Sequence, residues 1–301
     1  MERLLADKHF RKMFRIIVLL LTAVLVLLRI FVGPKLPDCA ITAVVNSIAD
    51  NLISGLFVTY LIAEFLFFVE LAREEHNSTR ILIAGEITPA LSATLSSTHS
   101  WYFKGGTGRF IRSQVLDGLA SAARSQSSTR HMRVCLLDVR SQHAVDAYAS
   151  YRSGVHSATV EGGWDSNRVK REVATTIVRL LSKASTEPLL EVTIALSTTF
   201  STFRYDASDS LAVVTREDPR DPAIAVSQGT RLFAAIRDEV QLSVNSGYLL
   251  AKLNKPVPLD RLSGKQVHEV LRDAGLPDLQ FSDADLESIA VEARNARNPY
   301  V

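Results

Sequence analysis

From Trp101 to Arg112 the chain reads WYFKGGTGRFIR, in which three glycines separate a strand-like aromatic run from a helical one. Backbone N–H groups at a helix start converge on one point and favour an anion, and glycine lets a ligand approach the backbone closely. Lys104, Arg109 and Arg112 add donors for charge-assisted hydrogen bonds. Lys104, Gly105, Gly106, Thr107, Gly108, Arg109 and Arg112 are therefore candidate ligands for a phosphate. The order is neither a Walker loop nor G-x-G-x-x-G, and the same glycines fit a purely structural turn with Thr107 as a helix cap. A second cluster, STTFSTFRYDASDS from Ser197 to Ser210, gathers hydroxyls and Arg204 at the end of a strand, where open α/β sheets commonly hold ligands. It equally fits a solvated loop. Asp138, Arg140, Tyr148, Tyr151 and Arg152 fall where they would line the same side, or serve as ordinary packing and surface residues.

Other chemistries are disfavoured. Cys39 and Cys135 are the only cysteines and stand far apart, which excludes a disulfide framework or a cysteine-based metal site and fits a reducing compartment. There is no H-E-x-x-H spacing and no G-x-S-x-G elbow, so no catalytic residue, metal ligand or cofactor is expected. The 34 Lys and Arg against 32 Asp and Glu leave a net charge of +2, which argues against bulk nucleic-acid binding. Arginine outnumbers lysine 25 to 9, consistent with phosphate or carboxylate recognition, though GC-rich coding produces the same bias.

The elements around these residues alternate in type, an α/β pattern. Strands are expected at 100–104, 132–139, 189–197 and 211–217, the last paired with 202–206. Helices are expected at 108–124, 143–152, 167–184 and 227–244, the third carrying Val169, Val173, Ile177, Leu180 and Leu181 at helical spacing. Residues 252–264 read as a linker, and two short helices close the chain, the second starting at Ser282 with Asp285 three residues on in a capping-box pattern.

The apolar residues are concentrated elsewhere. Phe14 to Val32, FRIIVLLLTAVLVLLRIFV, is long enough to cross a hydrocarbon core of ~30 Å. A cleaved signal peptide is the alternative, but the run is long for an h-region and no small-x-small site follows. Leu52 to Leu71 reads as a second span containing Glu64, preceded by Asn46 and Asp50 on one helical face. Those polar groups fit an interfacial helix contact or a polar stripe lining an oligomeric pore. Arg3, Lys8, Arg11, Lys12 and Arg15 precede or open the first span, whereas the connection offers only Lys35, so both termini are expected in the cytoplasm. The expected fold is an α/β cytoplasmic domain behind an N-terminal two-helix transmembrane hairpin. Its divisions are a cytoplasmic N-terminus (1–13), two transmembrane helices (14–71), a connector (72–99), the α/β domain (100–250) and a helical C-terminal extension (251–301).

The succession strand, helix, strand, helix, helix, strand and a loop into a further strand over about 100–245 resembles one half of the phospholipase D-like fold. That family's catalytic H-x-K-x(4)-D motif would fall about where this chain has Phe203, Arg204, Tyr205 and Asp206 through Asp209, and here the histidine and lysine are missing. The resemblance therefore implies a noncatalytic binding domain. The overall plan is also similar to bacterial inner-membrane effectors of antiviral defence, which sense a cyclic nucleotide and disrupt the membrane. It implies a homo-oligomer whose partners are the lipid bilayer and a nucleotide or other phosphate-bearing ligand held by the loop residues and Arg204. A membrane-tethered phosphodiesterase and a passive membrane scaffold are the alternatives.

Overall fold

A computed structural model describes residues 8–31, 40–155, 162–218, 220–276 and 279–296. Arg3, Lys35, Cys39 and His156 lie outside the described residues. The chain divides into two compact units, residues 1–77 and 78–301.

In the first unit, α1 (Lys8–Phe31) and α2 (Ala40–Asn77) are continuous helices. Their apolar windows, Lys12–Phe31 and Ala43–Phe67, have the length and composition to cross a membrane, and only 6% of each window is buried. α2 starts well ahead of Leu52, and its 38 residues, with no proline among them, measure about 57 Å. Arg15 Nε donates to Glu64 at 2.6 Å and its second nitrogen to the other oxygen at 2.8 Å. Arg29 makes the same two-pronged contact with Asp50 at 3.0 and 3.4 Å. Both carboxylates of α2 singled out in the sequence are thus held by arginines of α1.

The second unit is built on one eight-stranded sheet. Its strands are β1 (Thr79–Leu82), β2 (Ser100–Lys104), β3 (Arg130–Leu137), β4 (Leu190–Ser197), β5 (Phe203–Ala207), β6 (Leu211–Arg216), β7 (Ala223–Ser227) and β8 (Tyr248–Leu249), in the order β1-β7-β6-β5-β2-β3-β4-β8. β2, β3 and β4 are parallel, and every other pairing is antiparallel. β3 and β4 are buried almost without interruption in their second halves, as parallel strands covered on both faces must be. On one face lie α3 (Ala84–Ser92), α4 (Leu116–Gln126), α5 (Gln142–Ser153), α6 (Ser166–Thr186), α8 (Gly264–Asp273) and α9 (Asp283–Arg294), whose apolar residues join one core with Trp101, Phe103, Val134 and Leu136. α7 (Arg231–Ser246) covers the other face with Phe233, Ile236, Val240 and Val244.

Several boundaries differ from expectation for identifiable reasons. The stretch expected as a connector supplies β1 and α3, and its TRIL strand is only four residues long, too short to show alternation. β7 was not anticipated; its last residue, Ser227, is where a helix was expected, and α7 begins after Gly229 (φ +90°) with Thr230 capping Phe233 N at 3.0 Å. The helix expected from residue 108 starts one residue later, since Gly108 has φ +69°, and Arg109 and Phe110 lead through a π-helical turn at Ile111–Val115 into α4. The C-terminal helices pack into the main core through Val267, Leu271, Leu286 and Ile289. The Ser282–Asp285 box forms, with Asp285 N donating to Ser282 Oγ at 3.1 Å.

Both tryptophans, Trp101 and Trp164, lie in the second unit, so their fluorescence follows its unfolding alone. Ile177 of α6 is fully buried in the core, and Ile177→Ala is expected to lower urea stability by about 2–5 kcal/mol on that signal.

Candidate functional site

The parallel strands β2, β3 and β4 end at Lys104, Leu137 and Ser197 on one edge of the sheet. β5 starts and β6 ends at the same edge, since Lys104 lies opposite Tyr205 and Phe203 opposite Arg216. The loops that follow are brought together here, where the strand ends of an open sheet form a crevice.

The glycine loop is closed by packing. Gly105 N donates to Cys135 O and Leu137 N to Gly106 O, both at 3.1 Å, which carries the β2–β3 ladder beyond Lys104. A Cβ on Gly105 would come within 2.7 Å of the Phe103 ring and 2.9 Å of Arg204 Cγ, and one on Gly106 would overlap the Tyr148 ring. Gly106, Thr107 and Gly108 are buried, and the Thr107 carbonyl accepts from Thr176 Oγ1 at 2.6 Å. These glycines are thus demanded by close approach and a left-handed turn.

The cations of the loop go three ways. Lys104 lies on the α7 face, where Nζ donates to Glu239 at 2.5 Å and holds that carboxyl below the usual carboxylate range. Arg112 is buried and donates to the Glu172 carbonyl (2.8 Å), Thr176 Oγ1 (3.1 Å) and the Glu172 carboxylate (2.6 Å). Arg109 Nε is 4.0 Å from the same carboxylate, and its guanidinium is 5.8 Å from the Trp164 ring. Burial alone would push the Glu172 carboxyl up, but Arg112 and Arg109 outweigh it and hold it below its ordinary value.

Arg204 is placed differently. It is buried on the α3–α6 side of β5, with Nε donating to Asp206 at 3.0 Å and Thr215 of β6 directly opposite. Burial pushes the Asp206 carboxyl up, against the opposing pull of Arg204. Nearby, Tyr148 donates to Glu217 at 2.8 Å, and Arg152 donates to the Glu217 carbonyl at 2.8 Å. Arg204 and Asp206 alternate on β5, as Thr215 and Glu217 do along β6 and its exit. Polar residues at two-residue spacing on inward positions were the overlooked sign of Thr215 and Glu217. Asp138 instead pairs with Arg140, whose guanidinium lies 3.5 Å from the centre of the Tyr248 ring, away from this cluster.

A cavity of about 210 Å³ opens beside Arg204, lined among others by Gly85, Thr88, Phe110, Thr215 and Arg216. Of the residues proposed from sequence as phosphate ligands, Arg204 lines it, whereas Lys104 and Arg112 are held by internal carboxylates. Among the described residues, no group of three or more His, Cys, Asp or Glu side chains is arranged to hold a metal ion. Comparison with protein-family models, curated proteins and solved structures finds no match for the chain.

Removing Arg112 would strand a buried carboxylate. Arg112→Ala is expected to cost about 3–5 kcal/mol in urea unfolding, far beyond any effect on an exposed ligand contact. Because Glu172 titrates below its unfolded value, its contribution is present at neutral pH and lost as pH falls. The stability difference between wild type and Glu172→Gln is expected to shrink as unfolding is measured below about pH 4.

Proposed function

We propose that this protein is a membrane-anchored sensor whose sheet domain binds a phosphate-bearing ligand from the cytoplasm and alters the helical hairpin in response. The observation that carries the ligand reading is Arg204, a buried guanidinium lining a cavity at the strand-end edge of the sheet. Arg204 keeps its pairing with Asp206, and a planar guanidinium suits tetrahedral oxyanions. The anchor is supported by two apolar windows of 20 and 25 residues, of which only 6% is buried. Arg15–Glu64 and Arg29–Asp50 pair the charges that such helices would otherwise carry singly into lipid. The basic residues at the N-terminal side of α1 support, by the positive-inside rule, a reading in which both termini face the cytoplasm. Only Ser78 separates α2 from β1, so strain in the sheet has a short covalent route to the hairpin.

The similarity to bacterial inner-membrane defence effectors suggests the output: a ligand-driven homo-oligomer that disrupts the bilayer, with a cyclic nucleotide among the candidate ligands. The full chain in lipid nanodiscs is expected to bind at least one member of a panel of mono-, di- and cyclic nucleotides in calorimetry. The double substitution Arg204→Gln with Asp206→Asn removes both charges of the pair together and is expected to abolish that heat. No binding across the panel sinks the sensor reading. Tags on both termini are expected to be cleaved by protease only in inverted membrane vesicles.

A further inference from the structure

The second wall of the cavity beside Arg204 is the first turn of α3. Its N-cap residue is Ile83, which has no side-chain acceptor for the orphan amides of a helix start. Glu86 N bonds the Ile83 carbonyl at 2.9 Å, and the Glu86 carboxylate turns back to Ile83 N at 3.2 Å. Ala84 and Gly85, at the first two positions of the helix, face the cavity. A Cβ on Gly85 would meet nothing within 4 Å, so the space in front of this turn is open.

Across from the turn stand Arg204 and Thr215, exposed by only 6% and 4%, with Arg216 at the rim. Thr215 Oγ1 is buried and has no hydrogen-bond partner. A polar atom withdrawn from water without a partner costs about 1–3 kcal/mol, a cost that a bound acceptor would remove. Phe110 and Ile87 supply an apolar side. The volume of about 210 Å³ far exceeds the ~10–15 Å³ that one water needs, yet is below the ~300–1,000 Å³ of sites for drug-sized ligands.

We propose that this cavity binds the terminal phosphoryl group of a small phosphomonoester. Arg204 and Arg216 are its cationic contacts, the α3 amides and the hydroxyls of Thr88 and Thr215 its further donors, and Phe110 and Ile87 contact the organic substituent. The proposal rests on the phosphate-ligand reading above and narrows it: a space of this size takes a phosphoryl group and a few carbons rather than a whole dinucleotide. Helix-start amides and guanidinium groups both favour an anion. Asp218 also lines the cavity, 3.6 Å from Arg220. Asp206 shares Arg204 with the bound anion, its Oδ2 accepting from Arg204 Nε at 3.0 Å.

The test is calorimetry on the full chain in phosphatidylcholine nanodiscs, titrated with phenyl phosphate, inorganic phosphate and benzoate. Phenyl phosphate is expected to bind, inorganic phosphate more weakly, and benzoate not at all. Gly85→Leu fills open space on a helix and is expected to keep the urea midpoint while weakening phenyl phosphate by at least about tenfold. Thr215→Val keeps the shape, removes a hydroxyl without a partner, and is expected to weaken binding at least about threefold. If both variants bind like wild type, the cavity is not the site, although the sensor reading survives. Binding of a nucleotide without phenyl phosphate, or of benzoate as tightly as phenyl phosphate, overturns the phosphomonoester assignment alone. If phenyl phosphate and the whole nucleotide panel fail together, both readings fall.

Discussion

One polar face of α6 holds the strand-end edge of the sheet together. Glu172, Thr176, Arg179 and Lys183 recur at three- and four-residue spacing, hence on one side of the helix. Glu172 takes Arg112, Thr176 donates to the Thr107 carbonyl, and Arg179 donates to the Arg112 carbonyl at 2.8 Å and to Asp117 at 2.6 Å. Lys183 adds a 3.2 Å contact to Asp117. Arg179 also donates to the Ala293 carbonyl, which ties the C-terminal α9 to the same helix. The glycine loop, the π-helical turn, α4 and α9 are all fastened along this row. Buried ion pairs stabilise little over an apolar core of the same shape, but losing one partner is severe, so such a row fixes one arrangement more than it adds stability.

That constraint determines where the cations near the glycine loop lie. Arg112 is held by α6, Lys104 by Glu239 on the other face of the sheet, and Arg204 by Asp206 beside the cavity that it lines with Arg216. The sheet itself separates Lys104 from Arg204: paired residues share a face and successive residues on a strand alternate, so Lys104 lies beside Tyr205 while Arg204 turns toward α3. Cys135 takes the α7 side as well, and burial pushes its thiol up to about 11, so it stays an unreactive packing residue.

The hairpin follows a similar logic with weaker forces. Its apolar side chains are exposed along most of both helices, so packing between α1 and α2 does little to hold the pair. The two arginine–carboxylate contacts and the edge-on Phe14–Phe67 rings, 5.8 Å apart, hold the helices in register. In water, exposed pairs of this kind contribute about 0–1 kcal/mol each, whereas in a medium of low dielectric the same contacts are much stronger.

Features that depend on local pattern were legible in the order of residues. Long apolar runs set the two N-terminal helices, the alternation of strand-like and amphipathic segments set the α/β class, and the Ser282–Asp285 spacing set a helix start. Helical spacing of Val169, Val173 and Ile177 identified α6 as a core helix for the same reason. What tertiary structure alone decided was pairing across distance. β1, β7 and β8 have four, five and two residues, too few to carry a period, and exist because a neighbouring strand offers them hydrogen bonds. Lys104, Arg109, Arg112 and Arg204 look equivalent in a linear reading. Glu172, Glu239 and Asp206 separate them, and which carboxylate meets which arginine is fixed only when α6, α7 and β5 close on the sheet.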